Sequence, residues 1–283
     1  MLLPLWTLPL DAAPRGVCLA REAQRLLVWT EINWLFWTNR KGERQAQTHV
    51  ANPIVAAAIS DDGSAFVVAE ADGRFSWLAP DLQPRWDRHI KGKPTAVALD
   101  PLGLVAAIAT SQSQLLLVYS DGEVAREVTC PRPAHFMTFV PGTSRLICAA
   151  DLGWVGAFDL EVGDWIWRDT PVLSFGGLAV AGGGEPILLS CFTEGLRGYH
   201  TDGQIWKFDD PTPSCRTVAC RYDGALIVSL QMDGAVTGHT LDLKPRFSYR
   251  PDVGVTAMAL AALGDVIYLA QTDRKIVALG IPK

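Results

Sequence analysis

The chain has 283 residues, of which 49% are hydrophobic and 19% charged, and it contains ten tryptophans. This balance supports a large apolar core and excludes an intrinsically disordered chain, which has fewer hydrophobic and more charged residues. The formal net charge of -5 excludes the strongly basic surface that nucleic acids attract, so we expect no nucleic acid as a partner.

The N-terminal segment is apolar for ten residues but lacks a positive start and carries Pro4 and Pro9, which is a poor match to a signal peptide. No apolar run approaches the about 18 residues that cross a bilayer. We therefore expect a cytoplasmic protein without membrane insertion. The six cysteines form no CxxC pair, and four of them lie in apolar runs, where cysteine acts as a small hydrophobic residue: Cys18, Cys148, Cys191 and Cys220.

Seven strongly apolar, β-type runs follow one another along the chain at separations of 39 to 41 residues. Their centres are Val28, Val68, Ile108, Cys148, Leu189, Val228 and Tyr268. A repeat of about 40 residues with several short strands per unit is typical of a β-propeller, in which small sheets pack face to face around an axis. The sequence therefore predicts seven blades.

Each unit contains four predicted strands, named A to D from the axis outward. Strand A is rich in small residues, as in residues 55–59 and 96–100, which predicts a narrow and mostly apolar channel because the blades converge there. Strand B is apolar on both faces, as expected between two neighbouring blades. Strand D, on the rim, carries an aromatic residue in several units: Trp86, Trp167, Trp206 and Phe247.

The seventh unit has no strand D after its strand C at residues 275–280, and residues 3–10, with Trp6 in the aromatic position, are predicted to supply it. We predict an all-β fold: a seven-bladed β-propeller of four-stranded antiparallel blades, closed by the N-terminal strand joining the last blade. One domain would span residues 1–283. Its blades are predicted at 17–50, 54–91, 95–130, 134–170, 176–210, 215–250, and 254–280 plus 3–10.

Some units carry a recognisable motif. The segment Ala157-Phe158-Asp159, followed by Gly163-Asp164 and Trp167, is similar to the tryptophan-docking motif of quinoprotein-type (PQQ-type) repeats, with Val162 where threonine is usual. A partial copy is Thr201-Asp202-Gly203 with Trp206. The chain thus resembles the WD40-like and quinoprotein-like propellers, although no unit ends strand C in the Trp-Asp of WD40 repeats. The resemblance implies the fold and no particular ligand.

Residues for catalysis or metal binding are scarce. The five histidines are scattered over rim, loop and strand C positions: His49, His89, His135, His200 and His239. No nucleophile, zinc-protease or phosphate-binding motif is present. We therefore predict no catalytic residue, no metal site and no cofactor.

Acidic residues recur in the B-to-C turns of six units, all on one face of the predicted ring: Glu31, Asp72, Asp151, Glu194, Asp233 and Asp273. Such a ring could attract a basic peptide or a cation. The alternative is that tight turns simply favour Asp beside Gly, and this alternative is preferred. Basic residues of the D-to-A loops would also dilute the acidic field: Lys91, Lys93 and Arg132.

Large side chains recur at the start of strand C, where Trp34, Arg74, Gln114 and Trp154 are 40 residues apart. Exposed Trp and Arg are common interface anchors, which predicts partner contacts through Trp34, Arg74 and Trp154 together with the three basic loop residues. The alternative, which the position of these tryptophans at strand ends favours, is packing against the neighbouring blade.

Two functions follow from these features. The first is a non-catalytic scaffold or adaptor, a subunit of a larger complex, that binds a protein partner on the face formed by the D-to-A and B-to-C loops. The alternative is a quinoprotein-like or lactonase-like enzyme, or a binder of a small ligand or cation, with its site at the channel mouth.

Overall fold

The structure is a computed structural model that describes residues 2–206 and 213–282. Within these residues the chain forms seven antiparallel sheets of four strands each, and the innermost strands of successive sheets contact one another around a ring. The chain is thus a seven-bladed β-propeller, as predicted. The predicted end of the fifth blade at residue 210 and the terminal residues 1 and 283 lie outside the described residues.

The strands are numbered β1 to β28 in chain order. Strands A are β2 (Pro14–Ala20), β6 (Ile54–Ile59), β10 (Pro94–Leu99), β14 (Phe136–Phe139), β18 (Phe175–Val180), β22 (Cys215–Cys220) and β26 (Val255–Leu260). Strands B are β3 (Arg25–Thr30), β7 (Phe66–Glu70), β11 (Val105–Thr110), β15 (Arg145–Ala150), β19 (Ile187–Cys191), β23 (Ile227–Gln231) and β27 (Val266–Gln271).

Strands C are β4 (Trp34–Thr38), β8 (Arg74–Leu78), β12 (Gln114–Tyr119), β16 (Trp154–Asp159), β20 (Gly195–Tyr199), β24 (Val236–His239) and β28 (Lys275–Gly280). Strands D are β5 (Arg44–His49), β9 (Pro84–His89), β13 (Val124–Thr129), β17 (Asp164–Asp169), β21 (Ile205–Trp206), β25 (Pro245–Tyr249) and β1 (Leu3–Pro9).

Burial follows the position of each strand in its blade. Every residue of β7 and β19 is buried, because a strand B is covered by a neighbouring blade on both faces. The rim strands β5 and β9 instead alternate between exposed and half-buried residues. In the described part of the chain, no helix is long and apolar enough to cross a membrane.

The N-terminal strand closes the ring, as predicted. Strand β1 pairs antiparallel with β28, from Leu3 opposite Gly280 to Pro9 opposite Lys275. The seventh sheet therefore has the order β1-β28-β27-β26 and takes its strands from both ends of the described chain. A sheet completed in this way leaves no apolar edge on β28.

Rim side chains join several blades to the next one by hydrogen bonds. The indole nitrogens of three rim tryptophans donate hydrogen bonds to the C-to-D turn of the following blade: Trp6 to the Arg40 carbonyl (2.8 Å), Trp86 to Ser120 (2.8 Å) and Trp167 to Thr201 (2.9 Å). Gly203, with φ of +87°, lies against Trp167, where a Cβ atom would stand 2.7 Å from the ring. Such close stacking requires a glycine at this turn.

The first and third blades reach the same docking point with other residues. In the first blade, the rim position opposite Trp37 holds Ala46, and Trp37 of strand C itself donates to the Pro80 carbonyl at 2.8 Å. In the third blade, Arg126 occupies the rim position and donates to the Gly163 carbonyl at 2.9 Å. Inter-blade docking is therefore a property of the repeat, even where the aromatic residue is missing.

The junction between the sixth and seventh blades differs from these because strands C and D of the seventh blade come from distant parts of the chain. In residues 2–206 and 213–282, no C-to-D turn joins β28 to β1, so none covers Phe247, the rim aromatic residue of the sixth blade. A cleft of about 720 Å³ lies there, lined by Leu226, Phe247, Leu263 and Ile281 among others. This opening is a consequence of the way the ring closes.

Two substitutions of Trp86 separate the contribution of its indole hydrogen bond from that of its ring packing. The Trp86→Phe variant keeps most of the packing but loses the hydrogen bond, so we expect the free energy of unfolding to fall by about 1 kcal/mol. Trp86→Ala also loses the packed ring, which should cost at least about 2 kcal/mol. Urea unfolding monitored by fluorescence measures both variants. Wild-type stability of Trp86→Phe would contradict a contribution from the hydrogen bond, and equal losses in the two variants would contradict a contribution from the packed ring.

Candidate docking face

The B-to-C turns and the D-to-A loops lie on one face of the ring, which is termed the upper face. Backbone hydrogen bonds join them within each blade: the Ile90 amide donates to the Gly73 carbonyl at 2.9 Å, and the Gly153 amide to the Leu173 carbonyl at 2.9 Å. These loops are therefore held on a rigid scaffold, an arrangement on which binding residues are commonly found.

The six acidic residues lie in B-to-C turns of the upper face, but most of their carboxylates have local partners. Asp233 pairs with Arg250, Asp273 with Lys275 and Asp151 with His135. Asp72 accepts hydrogen bonds from the Asn52 side chain (2.9 Å) and the Arg74 amide (3.0 Å), and Glu31 accepts one from the Ala13 amide (3.4 Å).

Arg250 and Lys275 offset the negative charge at two of the six positions. The Arg74-to-Asp72 bond also shows these acids in the local turn role that tight turns favour. Among the described residues, no group of three or more His, Cys, Asp or Glu side chains could hold a metal ion.

Trp34 and Arg74 are each engaged within their own blade. Trp34 is half-buried and meets the His49 ring edge-on, with ring centroids 5.2 Å apart. The Arg74 guanidinium pairs with Asp87 at 3.1 Å, and this hydrogen bond raises the pKa of Arg74. Both side chains are partly accessible to a partner.

Trp154 is fully buried, so its predicted contact with a partner is wrong. Its side chain is 0% exposed and packs edge-on against Trp165, with ring centroids 5.0 Å apart. The surrounding cluster includes Leu115 of the third blade and Phe158 of the fourth. Trp154 therefore serves the packing of two blades, which was the alternative for this position.

The basic residues Lys91, Lys93 and Arg132 are exposed on D-to-A loops of the upper face. Arg132 also lines a groove of about 490 Å³ between the fourth and fifth blades. Leu152 and Val172 line the same groove, so its walls are both basic and apolar.

Four exposed apolar side chains, termed the apolar arc, lie on the upper face of the fourth, fifth and sixth blades: Leu152 (54% exposed), Val172 (fully exposed), Phe192 (37%) and Met232 (51%). Sequence reasoning did not single them out. The available signal was the 40-residue spacing of Leu152, Phe192 and Met232, which places one apolar residue in three successive B-to-C turns. Exposed apolar side chains grouped in this way mark interaction sites.

A partly buried network anchors the loop that carries Val172. Asp169, the last residue of β17, accepts hydrogen bonds from the Tyr199 hydroxyl (2.7 Å), the Thr170 amide (2.8 Å) and Arg197 (3.2 Å). Desolvation raises the pKa of Asp169, but these hydrogen bonds outweigh it and leave the pKa below its ordinary value. The carboxylate is therefore charged at neutral pH and fixes the start of the loop.

Substituting Asp169→Asn tests this anchor. The depressed pKa contributes stability above the unfolded value of about 3.9, and this contribution is lost as the pH falls through the lower folded value. We expect the variant to lose about 1 kcal/mol at pH 7, a small amount because Asp169 is one-third exposed. Hydrogen exchange of residues 170–173 should accelerate. A loss of stability that is as large at pH 3 as at pH 7 would contradict the role of the charge.

The lower channel mouth holds a different cluster. The Arg21 guanidinium binds the Asp61 carboxylate at 2.8 Å and lies 5.6 Å from the centre of the Tyr222 ring. A cavity of about 160 Å³ lies beside this pair and is lined by Cys18 and Met137 among others. Burial raises the pKa of Cys18, so its thiol is protonated at neutral pH.

The chain matches no protein-family model and no curated protein sequence. The residues of the two faces and of the channel are therefore the basis on which a function can be argued.

Proposed function

We propose that this chain is a non-catalytic scaffold or adaptor that binds a protein partner on its upper face, as a subunit of a larger complex. The observation that carries the proposal is the apolar arc, in which four large side chains from three successive blades stand in solvent on one face. Apolar side chains at the centre of a surface patch are a frequent feature of protein interfaces.

The arc is also held in place before any partner arrives. The Phe192 amide donates to the Ser174 carbonyl at 3.1 Å and the Met232 amide to the Ser214 carbonyl at 3.0 Å, so each turn is tied to the loop beside it. Binding then requires little ordering of the backbone, which otherwise reduces affinity.

A finer classification follows from the blade junctions. We infer that the repeats are of the quinoprotein type, because Trp86, Trp167 and Trp6 dock on the next blade through indole hydrogen bonds. This relationship would concern the packing of the blades and implies no quinone. A cytoplasmic location is part of the same proposal, because all six cysteines are unpaired, as is usual in a reducing compartment.

Paired valine variants test the proposed function. Val172 lies on the upper face, whereas Val162 lies in a C-to-D turn on the opposite face and is 70% exposed. Affinity capture from the native cells, with partners identified by mass spectrometry, should yield a partner with wild type and with Val162→Asp. The same partner should be lost with Val172→Asp. Equal capture by both variants would contradict the proposal.

The second candidate, a small ligand or cation at the channel mouth, is favoured only by the cavity beside Arg21 and Asp61. Its volume of about 160 Å³ is below the roughly 300–1,000 Å³ typical of small-molecule pockets. A thermal-shift screen with calcium, other divalent ions and quinones tests it, because binding to the native state raises the melting temperature. We expect no shift, and a saturable rise would support this candidate instead.

A further inference from the structure

A β-bulge recurs at the upper end of strand A in six of the seven blades. In each of these strands the register against strand B shifts across one extra residue. The extra residues are Arg15, Val55, Thr95, Gly176, Arg216 and Thr256. Because strands A line the axis, these residues surround the upper channel mouth. Bulges in such places re-aim side chains and are common beside functional sites.

Two of these residues are exposed arginines without a partner. Among residues 2–206 and 213–282, neither Arg15 nor Arg216 has an ion pair or a side-chain hydrogen bond. Arg74 and Arg250 of the upper face are paired, with Asp87 and Asp233, whereas the exposed Lys91, Lys93 and Arg132 have no ion pair among the described residues. Arg15 and Arg216 therefore offer two exposed guanidinium groups at the channel mouth of a chain whose net charge is -5.

Thr256 of the seventh blade links the two arginines around the mouth. Its hydroxyl donates a hydrogen bond to the Pro14 carbonyl at 2.8 Å, which places it beside Arg15. Thr256 is the second residue of β26. The blade of β26 lies between the blade that carries Arg216 and the blade that carries Arg15. Arg216, Thr256 and Arg15 thus form one continuous part of the rim of the mouth.

This rim adjoins the apolar arc. A Cβ atom on Gly176 would stand 2.6 Å from the Phe192 ring and 2.1 Å from the Arg216 carbonyl oxygen, so the ring and Arg216 both lie against this glycine. Met232 approaches from the other side, because its amide is bonded to Ser214, two residues before Arg216. Basic and apolar residues therefore form one surface on the fifth, sixth and seventh blades and the start of the first.

We propose that this rim binds the carboxylates of an acidic peptide segment of the partner, and that an apolar residue next to those carboxylates packs on Phe192 and Met232. The inference rests on the proposed function and specifies the chemistry of its partner. Guanidinium groups bind carboxylates with two parallel hydrogen bonds, which the unpaired Arg15 and Arg216 can offer. The same two charges disfavour a basic peptide, the ligand expected for an acidic ring.

A synthetic peptide tests the proposal. A fluorescein-labelled peptide with a run of glutamates followed by leucine and phenylalanine should bind the full chain in a fluorescence anisotropy titration, more weakly as salt is raised. Arg15→Gln and Arg216→Gln should each weaken binding about tenfold. The matched controls Arg85→Gln and Arg246→Gln, which remove exposed rim arginines, should leave the affinity unchanged.

Three results would overturn the inference: equal losses in all four variants, equal binding of a peptide with lysines in place of the glutamates, or displacement of the peptide by inorganic phosphate at the same concentration as by free peptide. Capture of the native partner distinguishes a failure of this inference from a failure of the proposed function. If Val172→Asp loses the native partner and the Arg15→Gln, Arg216→Gln double variant keeps it, only the inference fails. If Val172→Asp keeps the partner, the proposed function fails.

Discussion

Deleting residues 2–10 is expected to abolish the stable ring. The deletion removes strand β1, so β28 loses the neighbouring strand on its outer side and becomes an exposed edge of the sheet. It also removes Trp6, which packs on Tyr268 with ring centroids 5.8 Å apart and donates to the Arg40 carbonyl of the first blade. Leu8 and Leu10, packed on the same core cluster, are lost as well.

The size of this effect follows from the groups involved. Fully burying one large apolar side chain contributes about 1.5–3 kcal/mol, and the deletion removes the buried Leu2 together with the half-buried Trp6, Leu8 and Leu10. Their summed contribution reaches the lower end of the about 5–15 kcal/mol by which a whole protein is stable. We expect the deleted chain to be aggregated or to unfold at a much lower urea concentration. The control is Leu5→Ser, which changes a side chain of β1 that is 54% exposed and should cost under about 1 kcal/mol. A deleted chain with wild-type stability would contradict closure by β1.

Trp154→Ala is expected to destabilise the protein by about 3–5 kcal/mol, because it leaves a large cavity between the third and fourth blades. The equivalent position of the first blade provides a matched control. Trp34 is half-buried, so Trp34→Ala should cost under about 2 kcal/mol. Chemical denaturation of the two variants, side by side, measures the difference.

The same two variants also test whether Trp154 serves inter-blade packing and not partner binding. If Trp154→Ala kept wild-type stability but lost partner binding, the residue would belong to a binding surface after all. We expect instead that Trp154→Phe, which refills most of the space, recovers most of the stability and keeps the partner.

The repeat made most of the fold predictable. The regular spacing of apolar runs reflects a physical requirement, since each strand B is covered on both faces by neighbouring blades. The missing rim strand of the last unit then pointed to residues 3–10, and β1 occupies Leu3–Pro9. The rim position of Trp6 was also predictable, because Trp6 is equivalent in the repeat to Trp86 and Trp167.

The candidate site was less predictable, because exposure depends on the neighbours of a residue and not on its place in the repeat. Trp34 and Trp154 occupy equivalent positions, yet only Trp154 is enclosed by an adjacent blade. The partners of charged residues are likewise set by tertiary structure: Arg74 finds Asp87 across its own sheet, whereas Arg216 stays unpaired in the described residues. The bulges that place Arg15 and Arg216 at the channel mouth leave no clear mark in the sequence.

Site-specific photo-crosslinking in the native cells tests whether a protein partner docks on the upper face. A benzoylphenylalanine replaces Val172 in one variant and Val162 in the other, so that both faces carry the same probe at exposed valines. We expect irradiation to yield a discrete crosslinked protein from position 172 and none from position 162. A crosslinked protein from position 162 alone, or from neither position, would contradict docking on the upper face.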